Sequence, residues 1–252
     1  MPYLTVADAR LYYREHGAGD PLVWAHEFCG TGDAFCADVL PALDGRYRVI
    51  VPDLRGHGRS TGAPETVRLD RFADDLVALL DHLDVERAHL VGFSAGAQAL
   101  LVLGARQLPR ARTLTLVGAA HAWDERVRAQ LRALGTNLSA LPGWVDWVRG
   151  LHDPVHGADH WRVLHDRLRA WADDPAVPPY RPTDLAAITC PTLVLHGDRD
   201  PIYPLDVAAA LYRAIPNAEL AVVPGTGHGP HSERPDLFAR LLMDFHARHT
   251  ET

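Results

Sequence analysis

The segment Gly92-Phe93-Ser94-Ala95-Gly96 constrains this chain more than any other. An apolar run, Ala88-His89-Leu90-Val91, leads into it, and the helix formers Ala97-Gln98-Ala99-Leu100-Leu101-Val102-Leu103 lead out. A buried strand must therefore turn sharply into a helix. Neighbouring backbones come close together in such a turn, so the positions two before and two after the serine must be small. Gly92 and Gly96 meet that need. The turn lifts the Ser94 Oγ clear of the sheet. It also sets the serine at a helix N-terminus, where unpaired amides and the helix dipole favour developing negative charge.

Similar alternation runs through the chain. Tyr3–Val6 and Arg10–Glu15 read as a strand pair around the turn Ala7-Asp8-Ala9. Further strands are expected at Pro21–His26, Tyr47–Pro52, Ala88–Phe93, Thr113–Val117, Thr192–His196 and Glu219–Val223. Helices are expected at Leu69–Leu83, Ala95–Gln107, Leu205–Ala214 and Pro235–His249. The first shows an apolar stripe at helical spacing; the last has Pro at its start, with Ser232 or Glu233 placed to help cap it. Short apolar runs between helices predict an α/β fold, a mostly parallel eight-stranded sheet flanked by helices. A chain of 252 residues buries roughly three quarters of its unfolded surface and needs no staple to hold such a core.

Residues 121–185 break the alternation. They lack convincing strands and hold five of the six tryptophans, Trp123, Trp144, Trp147, Trp161 and Trp171. The expected organisation is a core of residues 1–120 and 186–252 with a helical cap at 121–185, closed by a return linker at Pro175–Pro182. Ligand pockets are mostly apolar and aromatic. One or two of these tryptophans, with Trp123, Trp144 and Trp147 as candidates, are therefore expected to face a cavity while the rest pack the cap onto the core.

Composition removes several classes. The net charge is -7, lysine is absent and the arginines are scattered, which argues against nucleic-acid binding. Arginine in place of every lysine suggests a GC-rich bacterial genome. Cys29, Cys36 and Cys190 are odd in number and form no metal-ligand pattern, as expected of a reducing compartment. No apolar run approaches the roughly 18 residues of a membrane span. Met1–Val6 shows no leader pattern, so the expectation is a cytoplasmic protein.

A serine hydroxyl needs a base to take its proton. His228, in Gly225-Thr226-Gly227-His228-Gly229-Pro230, follows the last expected strand on a glycine-rich loop; His231 is the local rival. An acid must hold the imidazole tautomer. Asp200, in His196-Gly197-Asp198-Arg199-Asp200-Pro201, is the better placed. Asp198, in the tight turn straight off the strand, is expected to bond loop amides, and Asp124 is a further rival. The chain order is then Ser, Asp, His.

These residues resemble the α/β-hydrolase superfamily, specifically its compact capped bacterial esterase, enol-lactonase and non-haem haloperoxidase-like group. The likeness spans nearly the whole chain outside the cap. It also draws on His26-Glu27-Phe28-Cys29-Gly30 and on Asp53-Leu54-Arg55-Gly56-His57-Gly58-Arg59-Ser60, which resembles the family's structural turn. The resemblance implies an oxyanion hole made by the backbone N–H groups of Phe28 and Ala95. His26, Glu27, Cys29 and Phe93 then border the substrate. The family commonly has His-Gly where this chain has His26-Glu27. Either Glu27 points away into a polar contact, or its carboxylate enters the site.

The implied chemistry is two-step acyl transfer on a small-molecule ester or lactone, with no metal or organic cofactor, by a monomer or homodimer. The same triad also serves C–C bond hydrolysis and perhydrolysis of the haloperoxidase-like kind. Serine at the elbow disfavours dehalogenase and epoxide-hydrolase chemistry, which place Asp there. A ligand-sensing protein with little turnover is the reading from another class.

Overall fold

A computed structural model describes residues 3–107 and 109–249. Met1 and Pro2, with which the leader reading began, lie outside them. Among the described residues eight strands form one sheet: β1 (Tyr3–Val6), β2 (Ala9–His16), β3 (Asp20–Ala25), β4 (Tyr47–Pro52), β5 (Ala88–Phe93), β6 (Ala111–Val117), β7 (Thr192–Gly197) and β8 (Ala218–Val223). Their order is β1-β2-β4-β3-β5-β6-β7-β8. Pairing is antiparallel from β1 to β2 and from β2 to β4, and parallel elsewhere. This is the expected α/β-hydrolase architecture.

Alternation along each strand divides the core. Leu22 and Trp24 of β3 join Val91 and Phe93 of β5 on one face of the sheet. Val23, Ala25 and Leu90 face the other way. Over the first face lie α1 (Gly32–Cys36), α2 (Leu40–Leu43) and α10 (Pro235–Arg248), whose Phe238 and Phe245 are fully buried. Over the second lie α3 (Leu69–His82), α4 (Ala95–Ala105) and α8 (Leu205–Ala214). Burying each such large side chain stabilises the fold by roughly 1.5–3 kcal/mol.

Two helix ends differ from expectation. α4 stops at Ala105, because Gln107 takes a positive φ of 57° that ends the helical path. α10 has no side-chain cap: Arg234 is its N-cap residue. Ser232 instead donates to Gly229 O, and the Glu233 carboxylate accepts from the Gly227 and Gly229 amides. These two residues belong to the short helix α9 (Pro230–Glu233).

Residues 125–173 form α5 (Glu125–Ser139), α6 (Trp144–His156) and α7 (His160–Asp173). Asp124 begins α5 by accepting from the Val127 amide at 2.9 Å. Arg128 ties the region's ends together, donating to the carbonyls of Trp123, Ala172, Asp174 and Val177. α6 and α7 meet the sheet domain through side chains. His152 contacts Gly58 and Cys29, His160 lies 2.9 Å from Gly56 O, and the Trp171 indole donates to Val67 O at 3.1 Å. Among the described residues, no helix is long and apolar enough to cross a membrane.

Candidate active site

Parallel strands bring their carboxyl ends to one edge. In register, Ala25 sits beside Gly92, Phe93 beside Val117, and Gly197 beside Val223. Ser94 follows β5 with φ 50° and ψ −111°, a conformation that a residue with a side chain adopts only under strain. Both flanking glycines are sterically required. A Cβ on Gly92 would lie 2.6 Å from Ala97 N, and one on Gly96 would run into the Ala25 carbonyl. Hydrogen bonds lock the turn in place, Ser94 N–H to Val117 O at 2.9 Å and Gly96 N–H to His26 O at 3.1 Å.

His228 and Asp200 meet as expected, Nδ1 to Oδ2 at 2.7 Å. The Asp200 carboxylate is buried, and its Oδ1 accepts from the Ile202 and Tyr203 amides. Burial by itself would raise this carboxyl, but the hydrogen bond and charge of His228 and the Tyr203 amide hold it below its ordinary value. An ionised Asp200 fixes the proton on Nδ1 and leaves a lone pair on Nε2. That Nε2 is buried and has no hydrogen-bond partner. The expected bond from Ser94 Oγ is therefore not formed in this structure, although the two residues flank the same strand end. Val117 O accepts from Ser94 N–H, and the next residue, Gly118, abuts the His228 ring. Catalytic hydrogen bonds of this kind commonly tighten only when substrate binds.

The rivals have other work. Asp124 caps α5, and Asp198 accepts from the Gly225 and Thr226 amides, as its place off the strand implied. His231 is buried against Phe35 and Phe93, and burial pushes it down to about 3. His57 is also buried, inside the Asp53–Ser60 turn, where Asp53 accepts from the Gly32 and Arg59 amides. That segment is scaffold.

The loop after β3 has its own logic. His26 Nε2 accepts from Leu54 N–H at 2.8 Å, so Nδ1 carries the proton and donates to Glu27 O at 2.6 Å. In a trans peptide the N–H points opposite to the C=O. Pinning Glu27 O therefore aims the Phe28 N–H the other way. Among the described residues, neither the Phe28 nor the Ala95 amide donates to a protein acceptor. The docking of Gly96 onto His26 brings the two amides' segments together.

Several expected substrate contacts are corrected by burial. His26 is fully buried with both nitrogens engaged, and burial holds it near 3. Cys29 is buried among Val148, Trp161 and Leu164, which pushes its thiol far up and disfavours a thiolate. Phe93 lies beneath the imidazole, ring to ring at 4.9 Å, within the core. Trp123 is buried in the main core, Trp144 stacks on His165, and Trp147 is 45% exposed to solvent. The Glu27 carboxyl meets its own backbone amide, while its Oε2 has no hydrogen-bond partner. The carboxyl curls over Gly30, where a Cβ would strike it; Oε2 is sealed from solvent, and burial pushes the group up to about 7.

Sequence reasoning missed three contributors. Gly118, with φ 55°, leaves room for the imidazole: a Cβ there would lie 2.9 Å from its Cε1. Glu233 grips the amides on both sides of His228. Trp171 lies edge-on to Phe28 at 4.8 Å. Its buried stripe on α7, Trp161, Leu164, Leu168 and Trp171, was available as helical periodicity. The conformational demand at Gly118 had no local signal. Among the described residues, no group of three or more His, Cys, Asp or Glu is arranged to hold a metal ion.

Comparison with known proteins agrees with this fold. The model of the alpha/beta hydrolase family matches residues 16–241. Non-heme chloroperoxidase CPO-A1 of Kitasatospora aureofaciens is 31% identical, over 97% of this chain and 99% of that one. A 2-hydroxy-6-oxononadienedioate/2-hydroxy-6-oxononatrienedioate hydrolase of Cupriavidus pinatubonensis is 28% identical, over 96% and 94%. The solved structure of Est816, described as an N-acyl homoserine lactone degrading enzyme, superposes with a TM-score of 0.79 at 28% identity. It covers 97% of this chain and 100% of its own.

Proposed function

Since the chain belongs to the alpha/beta hydrolase family, we propose that it is a serine hydrolase cleaving a carboxylic ester or lactone of a small to medium, largely apolar substrate. The observation that carries this reading is the His228–Asp200 pair at 2.7 Å, whose free Nε2 shares a strand end with a strained Ser94. In the proposed mechanism Ser94 Oγ attacks the carbonyl carbon while His228 Nε2 takes its proton. Asp200 stays ionised and stabilises the imidazolium. The Phe28 and Ala95 amides receive the developing oxyanion; a donor of this kind lowers the barrier by about 3 kcal/mol. The imidazolium then protonates the leaving alkoxide. Water activated by the same nitrogen attacks the acyl-enzyme, releasing the acid and restoring Ser94.

In this reading residues 121–185 act as the cap, and Phe28 with Trp171 contributes an apolar wall on its side of the site. The names of the relatives favour a second reading on the same triad, C–C bond hydrolysis or haloperoxidase-like perhydrolysis. A panel of p-nitrophenyl esters, lactones and β-diketones, run on wild type and Ser94→Ala, separates them. Ester or lactone turnover abolished by Ser94→Ala supports the first reading. Turnover confined to β-diketones supports the C–C hydrolase form of the second, and ester turnover retained by Ser94→Ala refutes both.

A further inference from the structure

The proposed oxyanion loop is held from two sides by imidazoles. On the core side, His26 donates to Glu27 O. On the other, His152 of α6 donates from Nε2 to Cys29 O at 2.9 Å, while its Nδ1 accepts from Gly58 N–H at 2.8 Å. His152 is fully buried. These two bonds fix its tautomer, with the proton on Nε2. Burial holds the ring uncharged, with its pKa lowered to about 4.

The peptide units of the loop continue the line. Cys29 C=O and Gly30 N–H belong to one planar unit, and Gly30 N–H donates to Glu27 O at 3.3 Å. Glu27 C=O and Phe28 N–H belong to the next. The donors therefore run head to tail: Gly58 N–H to His152, His152 to the 29–30 peptide, that peptide to the 27–28 peptide, and the Phe28 N–H outward to the oxyanion. Bonds in such a chain polarise one another. Cys29 needs the grip because it sits at φ 67°, a strained conformation for a side-chain-bearing residue.

We propose that His152 is a positioning residue for the oxyanion hole, coupling the seating of α6 to the aim of the Phe28 amide. This rests on the serine-hydrolase reading above and adds to it a residue outside the sheet domain. Docking of α6 and assembly of the hole become one event. When α6 lifts, Cys29 O loses its donor and the turn loses the restraint on its strained residue.

Two substitutions separate positioning from plain packing. The side-chain amide of His152→Gln reaches the place of Nε2 and can still donate to Cys29 O. That of His152→Asn reaches only the place of Nδ1, where it accepts from Gly58 but leaves Cys29 O alone. With an alkyl fluorophosphonate, whose phosphoryl oxygen occupies the hole, labelling of Ser94 should slow about tenfold or more in His152→Asn and recover largely in His152→Gln. A donor removed outright costs about a hundred- to thousandfold. On p-nitrophenyl esters kcat should fall with KM nearly unchanged. Equal rates in wild type and His152→Asn, or equal losses in both variants, would overturn the proposal.

Two further measurements keep it testable on their own terms. Wild type that is not labelled at Ser94 sinks the hydrolase reading, and the relay is then decided by hydrogen exchange. Exchange at the Gly30 amide must speed up in His152→Asn but not in His152→Gln, and unchanged exchange in both defeats it. Should His152→Asn fail to fold, the nitrogen-15 spectrum of wild type decides. The relay requires the His152 proton on Nε2, and finding it on Nδ1 contradicts the relay without any variant.

Discussion

At Gly118 a hydrogen atom in place of a methyl decides whether the His228 imidazole can keep its place at the end of β6. Gly118→Ala would put a Cβ 2.9 Å from His228 Cε1 and 3.1 Å from Nδ1, at a φ of 55° that alanine resists. Ring displacement should lower kcat as well as stability. The expected result is a loss of at least tenfold in kcat on p-nitrophenyl esters, with a stability change of about 1–2 kcal/mol in denaturant melts. A large loss of stability with kcat retained would show that the ring has other room.

Glu27 gives a pH-dependent signature. Burial raises its carboxyl from 4.5 to about 7, so the folded state keeps a proton that the unfolded chain releases. Below pH 4.5 both states are protonated and the group contributes nothing. As pH rises from there through 7 the folded state loses relative stability, and above 7 the full penalty applies. Glu27→Gln lacks this penalty. Its melting temperature should gain on wild type between pH 5 and 8, and a constant difference across that range would contradict the burial of the carboxyl.

Helix and loop geometry separates the two aspartates that the sequence left in competition. Asp124 starts α5 through the Val127 amide, whereas Asp200 follows β7 and bonds His228. Asp124→Ala should cost about 1 kcal/mol of stability, the ordinary worth of an N-cap, with kcat unchanged. Asp200→Asn should keep the fold and lower kcat by orders of magnitude, because an amide can hold the wrong imidazole tautomer. Melting curves beside steady-state rates check both, and an active Asp200→Asn would remove it from the mechanism.

The eight strands and helices α3, α4, α8 and α10 were legible to within a few residues because periodicity and punctuation act locally, whereas α1, α2 and α9 were not read and α5, α6 and α7 were read only as one helical region. β5 and the start of α4 follow directly from an apolar run, two glycines and a helix-forming tail. The ends of α4 and α10 were less legible, being set by the φ of Gln107 and by amides that claim the Glu233 carboxylate. The elbow and the positions of His228 and Asp200 could be read because each sits on a loop directly after a strand. The tryptophans could not be sorted. Whether Trp147 faces solvent and Trp171 faces Phe28 depends on how α6 and α7 pack, and that is decided by contacts between distant segments.

Across the whole molecule, one sheet with two covered faces carries the loops of the candidate site at its carboxyl edge, the usual place for ligands in open α/β sheets. The scaffold below that edge should be separable from the chemistry above it. Phe238 is fully buried beneath the sheet, packed with Trp24 and Leu242. Phe238→Ala should cost about 3–5 kcal/mol. At a temperature where the variant is still folded, its kcat should stay close to wild type. A proportionate fall in kcat would mean that this core also tunes the site.

Mass-spectrometric mapping of fluorophosphonate adducts on the intact protein tests the central claim most directly. The account predicts a single stoichiometric adduct on Ser94, lost in Ser94→Ala and strongly slowed in His228→Ala. An adduct on another residue, or none on folded wild type, would contradict it.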